Sequence, residues 1–175
     1  MKIKRIEHVG VVVRDLEASR SLWEDCFGIP LRGIEENAKN RLKLSFYPVG
    51  ESMVELIAGT TSDSKYSKLV AEGKGGLNHI CFEVENIDEA LAELKAKGIP
   101  LLDQVARTGH EGCRIAFLDP TGTENCLIEL AELPAGWQRV MPNVSLSISR
   151  PVSATRSARS RATPKTDTSG RRSAR

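Results

Sequence analysis

At 175 residues the chain is long enough to bury a real core in one compact domain, and 25 Lys and Arg against 23 Asp and Glu leave a net charge of only +2. That figure averages two unlike parts: from Gln138 onward nine Lys and Arg face a single acid, Asp167, so the tail carries +8 and residues 1–137 carry −6. Four cysteines without a CxxC pair argue against a zinc ribbon or disulfide framework, and no apolar run reaches the ~18 residues of a membrane span, so reduced thiols in a cytoplasmic protein are expected.

Residues 6–13 alternate and are β-branched, which suits a strand. Asp15 then stands as a helix N-cap, with Leu16, Ser19, Leu22, Trp23, Cys26 and Phe27 at helical spacing and Gly28-Ile29-Pro30 as the stop. Strands are predicted over 31–36, 42–48 and 52–58, followed by a short helix between Ser62 and Glu72 and the loop Gly73-Lys74-Gly75-Gly76. A second strand-and-helix pair, 78–85 and 87–97, ends at Gly98-Ile99-Pro100 and leads to strands near 101–106, 112–118 and 125–131. From 134 to 175 the chain turns rich in Ser, Thr, Ala and Pro, with no aromatic after Trp137, which predicts a disordered basic tail. A solvated extension is favoured there over contact with nucleic acid.

The chain repeats itself. His8-Val9-Gly10-Val11-Val12-Val13 aligns with His79-Ile80-Cys81-Phe82-Glu83-Val84 at an offset of 71, and Gly28-Ile29-Pro30-Leu31 with Gly98-Ile99-Pro100-Leu101 at 70. Lys43-Leu44-Ser45-Phe46 returns as Arg114-Ile115-Ala116-Phe117, and Met53-Val54-Glu55-Leu56 as Leu127-Ile128-Glu129-Leu130. Four blocks in one order describe a duplicated supersecondary unit. The expected fold is therefore α+β: two β-α-β-β-β modules, about 5–60 and 76–133, in a domain over 1–133. Together they would form an eight-stranded, mixed, cup-shaped sheet with the helices on its outer face.

Strand parity assigns the faces. Val9, Val11, Val54, Leu56, Ile128 and Leu130 are expected towards the helices, and His8, Glu55, His79 and Glu129 towards the cup. The same rule, applied with Leu42, Leu44 and Phe46 towards the helices, turns Lys43 and its repeat mate Arg114 into the cup as candidate substrate-anion ligands. His110, in the turn Gly109-His110-Glu111-Gly112, has no mate in the first half and is taken as a loop residue. Any one of these His or Glu residues alone is more simply structural. Four at equivalent places on one face form a divalent-metal site, since imidazole and carboxylate together suit first-row ions and leave two octahedral positions open. A Lewis acid at a carbonyl makes the neighbouring C–H acidic, and Glu55 and Glu129 are placed to act as proton-transferring bases from opposite sides.

The stretches HVGVVVRDLE, PVGESMVELIA, GLNHICFEVENIDEALAELKAKGIPLLDQ, and CRIAFLDP through LIELAE resemble the vicinal oxygen chelate (glyoxalase/bleomycin resistance/dioxygenase) superfamily, over residues 5–133. Within it they are most similar to the methylmalonyl-CoA epimerase family. The resemblance implies metal ligation by His8, Glu55, His79 and Glu129, with Co, Mn, Ni or Zn bound. It also implies epimerisation of a CoA thioester through a metal-stabilised enolate, and a homodimer. Asp119-Pro120 and Glu124-Asn125 depart from the family's usual His-Pro and Gly-Gly. A glyoxalase I-type isomerase and a metal-free binding module are the rival functions; a fourth ligand argues against an extradiol dioxygenase.

Overall fold

The computed structural model describes residues 1–136, so the tail expected over 134–175 lies almost wholly outside the described residues. Strands β1 (Ile3–Val12), β2 (Gly33–Asn37), β3 (Leu42–Val49) and β4 (Ser52–Gly59) belong to the first repeat. Strands β5 (Gly76–Val84), β6 (Arg107–Thr108), β7 (Arg114–Phe117) and β8 (Ile128–Glu132) belong to the second. They form one sheet in the order β2-β3-β4-β1-β5-β8-β7-β6. Outward from the centre each half reads alike: β1 pairs parallel with β4, and β5 with β8, while the outer pairs are antiparallel. The antiparallel β1–β5 pair joins the halves about a pseudo-twofold axis. This is the mixed, curled eight-stranded sheet expected from the repeat.

Helices α1 (Leu16–Arg20) and α3 (Ile87–Ala96) cover the outer face, with α2 (Lys65–Ala71) between the repeats. Asn86 caps α3 by accepting from Glu89 N–H, and the Glu89 carboxylate accepts in return from the Asn86 amide. Gly98, at φ 74°, ends it: Ile99 N–H reaches back to Leu94 O and Gly98 N–H to Lys95 O, a Schellman closure that needs the left-handed residue. Ile87, Ala90, Leu91 and Leu94 are all buried against Val84, Ala116, Leu118 and Leu130. In the first half Leu16 and Trp23 take the same place against Val11, Val54 and Leu56.

Three elements differ from expectation. Helix α1 ends at Arg20 and continues as a wider π-helix over Ser21–Cys26, which sets Trp23 stacked on Tyr47 at 5.8 Å. The strand expected at 101–106 shrinks to a Leu101–Leu118 bridge and β6, because Leu102 and Asp103 N–H both turn onto Phe117 O while the Asp103 carboxylate accepts from Phe117 N–H. Strand β8 starts only at Ile128, since Glu124 and Asn125 occupy left-handed conformations (φ 55° and 63°) in the preceding turn.

The facing of β3 is the reverse of the expectation. Antiparallel partners share a face, and Phe46 lies opposite Glu55, Leu44 opposite Ile57 and Lys43 opposite Ala58. Leu42 and Leu44 therefore line the cup, while Tyr47 packs beneath the helices. The alternation is clear, with Leu42, Leu44, Phe46 and Pro48 on one face, but here the apolar face lines the cup while Tyr47 and Val49 share the other with Lys43 and Ser45, so alternation alone could not orient the strand. Lys43 and, by the same pairing on β7, Arg114 lie on the outer face rather than in the cup.

Candidate active site

The cup encloses a cavity of about 760 Å³ whose floor carries Glu55, His79 and Glu129, with His8 packed directly behind them. Each histidine comes from a central strand and each glutamate from the strand parallel to it. All four side chains are buried, at 1 to 5 % exposure. Their ligating atoms converge: His8 Nε2 is 2.9 Å from His79 Nε2 and 3.3 Å from Glu129 Oε2, and His79 Nε2 is 3.0 Å from the same oxygen. Glu55 Oε2 stands 3.7 and 3.8 Å from the two imidazole nitrogens.

Ligands ~2.1 Å from an octahedral ion stand ~3.0 Å apart when adjacent and ~4.2 Å when opposite. The separations among His8, His79 and Glu129, 2.9 to 3.3 Å, are close to those of adjacent ligands, and Glu55 stands farther out, at 3.7 and 3.8 Å from the imidazoles. Charge agrees with distance: the three buried carboxyl groups of Glu7, Glu55 and Glu129 crowd two imidazoles, and a divalent cation offsets negative charge that is costly to bury otherwise. The donor set thus fits a divalent ion.

The polypeptide's own electrostatics show the strain of such a cluster. Burial pushes the Glu129 carboxyl up, but hydrogen bonds from His79 and His8 outweigh it and hold it at about 2. Burial raises Glu55; His8 opposes this and the charge of Glu129 adds to it. The two carboxyls move in opposite directions because Glu129 lies within hydrogen-bond reach of both imidazoles and Glu55 does not. Burial also works against a charged His8, yet Glu55, Cys81 and Glu129 around it raise it well above its ordinary value.

Of the residues singled out from the sequence, the structure brings His8, Glu55, His79 and Glu129 together and leaves two outside. Lys43 Nζ pairs with Glu36 at 3.1 Å, and Arg114 makes a two-pronged bridge to Asp88 of α3 at 2.8 and 2.9 Å, both on the outer surface. The cations lining the cavity are instead Arg107 and Lys65, with Lys39. The Arg107 guanidinium lies 5.4 Å over the Phe117 ring, whose edge contact with His79 spans 5.5 Å between centroids.

His110 is no simple loop residue. It is buried in the cavity wall, with its ring 5.1 Å from Phe46 and 5.8 Å from His8, and its Nε2 has no hydrogen-bond partner among the described residues. Tyr66 of α2 also faces the floor, where burial and then the Glu55 and Glu129 charges raise its hydroxyl pKa. Gly10 is the residue with a legible signal, a glycine inside a β-branched strand. An added Cβ there would lie 2.1 Å from His79 Cε1, so only glycine lets that imidazole lie across β1.

A model of the Glyoxalase/Bleomycin resistance protein/Dioxygenase superfamily matches residues 7–117. The chain is also 33 % identical over 132 residues to mitochondrial methylmalonyl-CoA epimerase of Mus musculus, covering 75 % of this chain and 74 % of that one. The chain belongs to the methylmalonyl-CoA epimerase family. Among solved structures, a Streptomyces coelicolor methylmalonyl-CoA epimerase variant in complex with 2-nitronate-propionyl-CoA superposes with a TM-score of 0.71 at 28 % identity, over 77 % of this chain and 97 % of that one. Lactoylglutathione lyase of Schizosaccharomyces pombe is 30 % identical over 149 residues, but this chain covers only 48 % of its length. No helix among the described residues is long and apolar enough to cross a membrane.

Proposed function

We propose that the protein interconverts the 2R and 2S forms of methylmalonyl-CoA by transferring the α-proton at the floor of the cup. The observation that carries this is the convergence of His8, His79 and Glu129, with Glu55 3.7 and 3.8 Å from the two imidazoles, beneath a cavity in a chain of the epimerase family. These four side chains would hold a divalent ion, Co, Mn, Ni or Zn, which would polarise the thioester carbonyl and acidify the adjacent C–H.

The remaining work falls to the chain itself. Glu129 and Glu55 descend from equivalent positions of the two repeats, so they offer one carboxylate to each face of the planar substrate carbon. Glu129 takes the α-proton from one face while Glu55, entering the step protonated, gives its own proton to the other, and the reverse epimerisation runs the same transfer backwards. Arg107, held over Phe117 in the cavity wall, presents a planar guanidinium to the free carboxylate of the malonyl group, with Lys65 lining the same cavity. His110 offers its unpaired Nε2 to a substrate oxygen. The apolar wall of Leu42, Leu44 and Ile57 keeps water from the reacting carbon. The working form in this reading is a cytoplasmic homodimer.

The test is wash-in of solvent deuterium at the α-carbon of methylmalonyl-CoA, run beside turnover of a glutathione hemithioacetal. Exchange of the CoA thioester with no lyase turnover is expected. The reverse pattern would move the protein to glyoxalase I chemistry, and neither activity would leave a binding module.

A further inference from the structure

Each candidate histidine ligand is preceded by an oxygen-bearing side chain that turns back onto it. In a regular strand this cannot happen, because neighbouring residues point to opposite faces. The β1–β5 register shows how it does. Ile6 pairs with Phe82 and His8 with Cys81, which leaves Glu7 as an extra residue on β1. Gly10 pairs with His79 and Val11 with Leu77, which leaves Asn78 as an extra residue on β5. These are two β-bulges related by the pseudo-twofold axis, and a bulge re-aims side chains. As a result Glu7 Oε2 lies 2.5 Å from His8 Nδ1, both groups fully buried, and Asn78 Oδ1 lies 3.1 Å from His79 Nδ1. Both Nε2 atoms are left facing each other and Glu129.

We infer that Glu7 and Asn78 are positioning residues: each accepts the Nδ1 proton of its histidine and so directs the Nε2 lone pair to the candidate centre, and Glu7, being a carboxylate, makes His8 the tighter ligand of the two. This inference rests on the metal-centre reading above. An anionic acceptor strengthens the hydrogen bond and raises the basicity of the imidazole behind it more than an amide oxygen does. The duplication has kept the geometry of the outer contact and varied its charge, so the two imidazoles are unequal although their Nε2 atoms are placed alike.

The experiment is competition of the full-length protein against a chromophoric chelator for Co(II), with visible absorption recorded and the thermal midpoint of each metal-free variant measured alongside. Glu7→Gln is expected to weaken cobalt binding by ~10–100-fold, the usual cost of losing an outer contact to a histidine ligand. In the wild type His8→Ala should weaken binding more than His79→Ala. In the exchange variant Glu7→Gln with Asn78→Asp, which keeps the net charge, that order should reverse; a merely structural role for either residue would not reverse it. If Glu7→Gln does not fold, Asn78→Asp alone decides, since tighter binding cannot come from damage. Cobalt affinity within twofold of wild type in Glu7→Gln, an unreversed order, or an Asn78→Asp protein that binds no more tightly would overturn the inference and leave the centre standing. Absence of cobalt binding by the wild type would overturn the centre itself.

Discussion

A single methyl group placed at Gly10 should dismantle the candidate centre and leave the fold intact. Three atoms of the His79 ring lie 2.1, 2.4 and 2.7 Å from where the Cβ of Gly10→Ala would sit. Non-bonded carbon atoms rest at ~3.5 Å, so the ring must retreat by more than ~1 Å, whereas ligand distances tolerate only ~0.2 Å. The clash is with side-chain atoms, so the imidazole and not the backbone of β5 is what must give. Crowding costs about 1–3 kcal/mol, and replacing a strand glycine returns about 0.5–1 kcal/mol, so the metal-free midpoint should fall by no more than ~10 °C. Metal affinity should fall by ~100-fold or more, since a ligand itself is displaced, which exceeds the loss of an outer contact. Isothermal titration with Co(II) and a thermal melt of the same preparation measure both. Wild-type affinity in a folded Gly10→Ala protein would refute the claim that His79 reaches the ion across β1.

Other perturbations separate the parts of the site. Glu129→Gln keeps an oxygen ligand and should retain cobalt while lowering epimerisation by ~10²–10⁴-fold, read as initial rates with metal content checked. Arg107→Gln should raise KM for methylmalonyl-CoA by ~10–100-fold with kcat little changed, as expected when a charge-assisted contact to the substrate is lost without touching the proton transfer; an unchanged KM would remove Arg107 from substrate binding. Leu91→Ala, on the buried face of α3 and away from the cup, should cost about 2–5 kcal/mol in urea unfolding and leave cobalt affinity as it was.

The topology was legible because the duplication writes each module twice and because helix signals are local. Asp15 caps where expected, Asn86 takes the corresponding place in the second repeat, and Gly98 ends α3 as its repeat mate Gly28 ends the first helical segment. The convergence of His8, Glu55, His79 and Glu129 was legible for the same reason: on the parallel β1–β4 and β5–β8 pairs, one parity holds from strand to strand. Parity failed on β3, where Leu42, Leu44 and Phe46 face a cup that is itself apolar on that flank and Tyr47 serves the helix side. Lys43 and Arg114 were misplaced with it. Glu7 and Asn78 were hidden for a different reason. Strict alternation puts them opposite the histidines they contact, and the bulges that bring them round depend on the register between β1 and β5, not on either strand alone. Arg107 and Lys65 reach the cavity only through β6 and α2, whose placement no local pattern announces.

The most direct test of the four-residue centre is elemental analysis of protein purified without chelators, for the wild type and for His8→Ala with His79→Ala. A centre built from these side chains should give about one equivalent of a divalent first-row metal per chain in the wild type and under ~0.1 in the double variant, with α-proton exchange lost in step. Stoichiometric metal in the double variant, or full exchange activity in metal-free wild type, would contradict it.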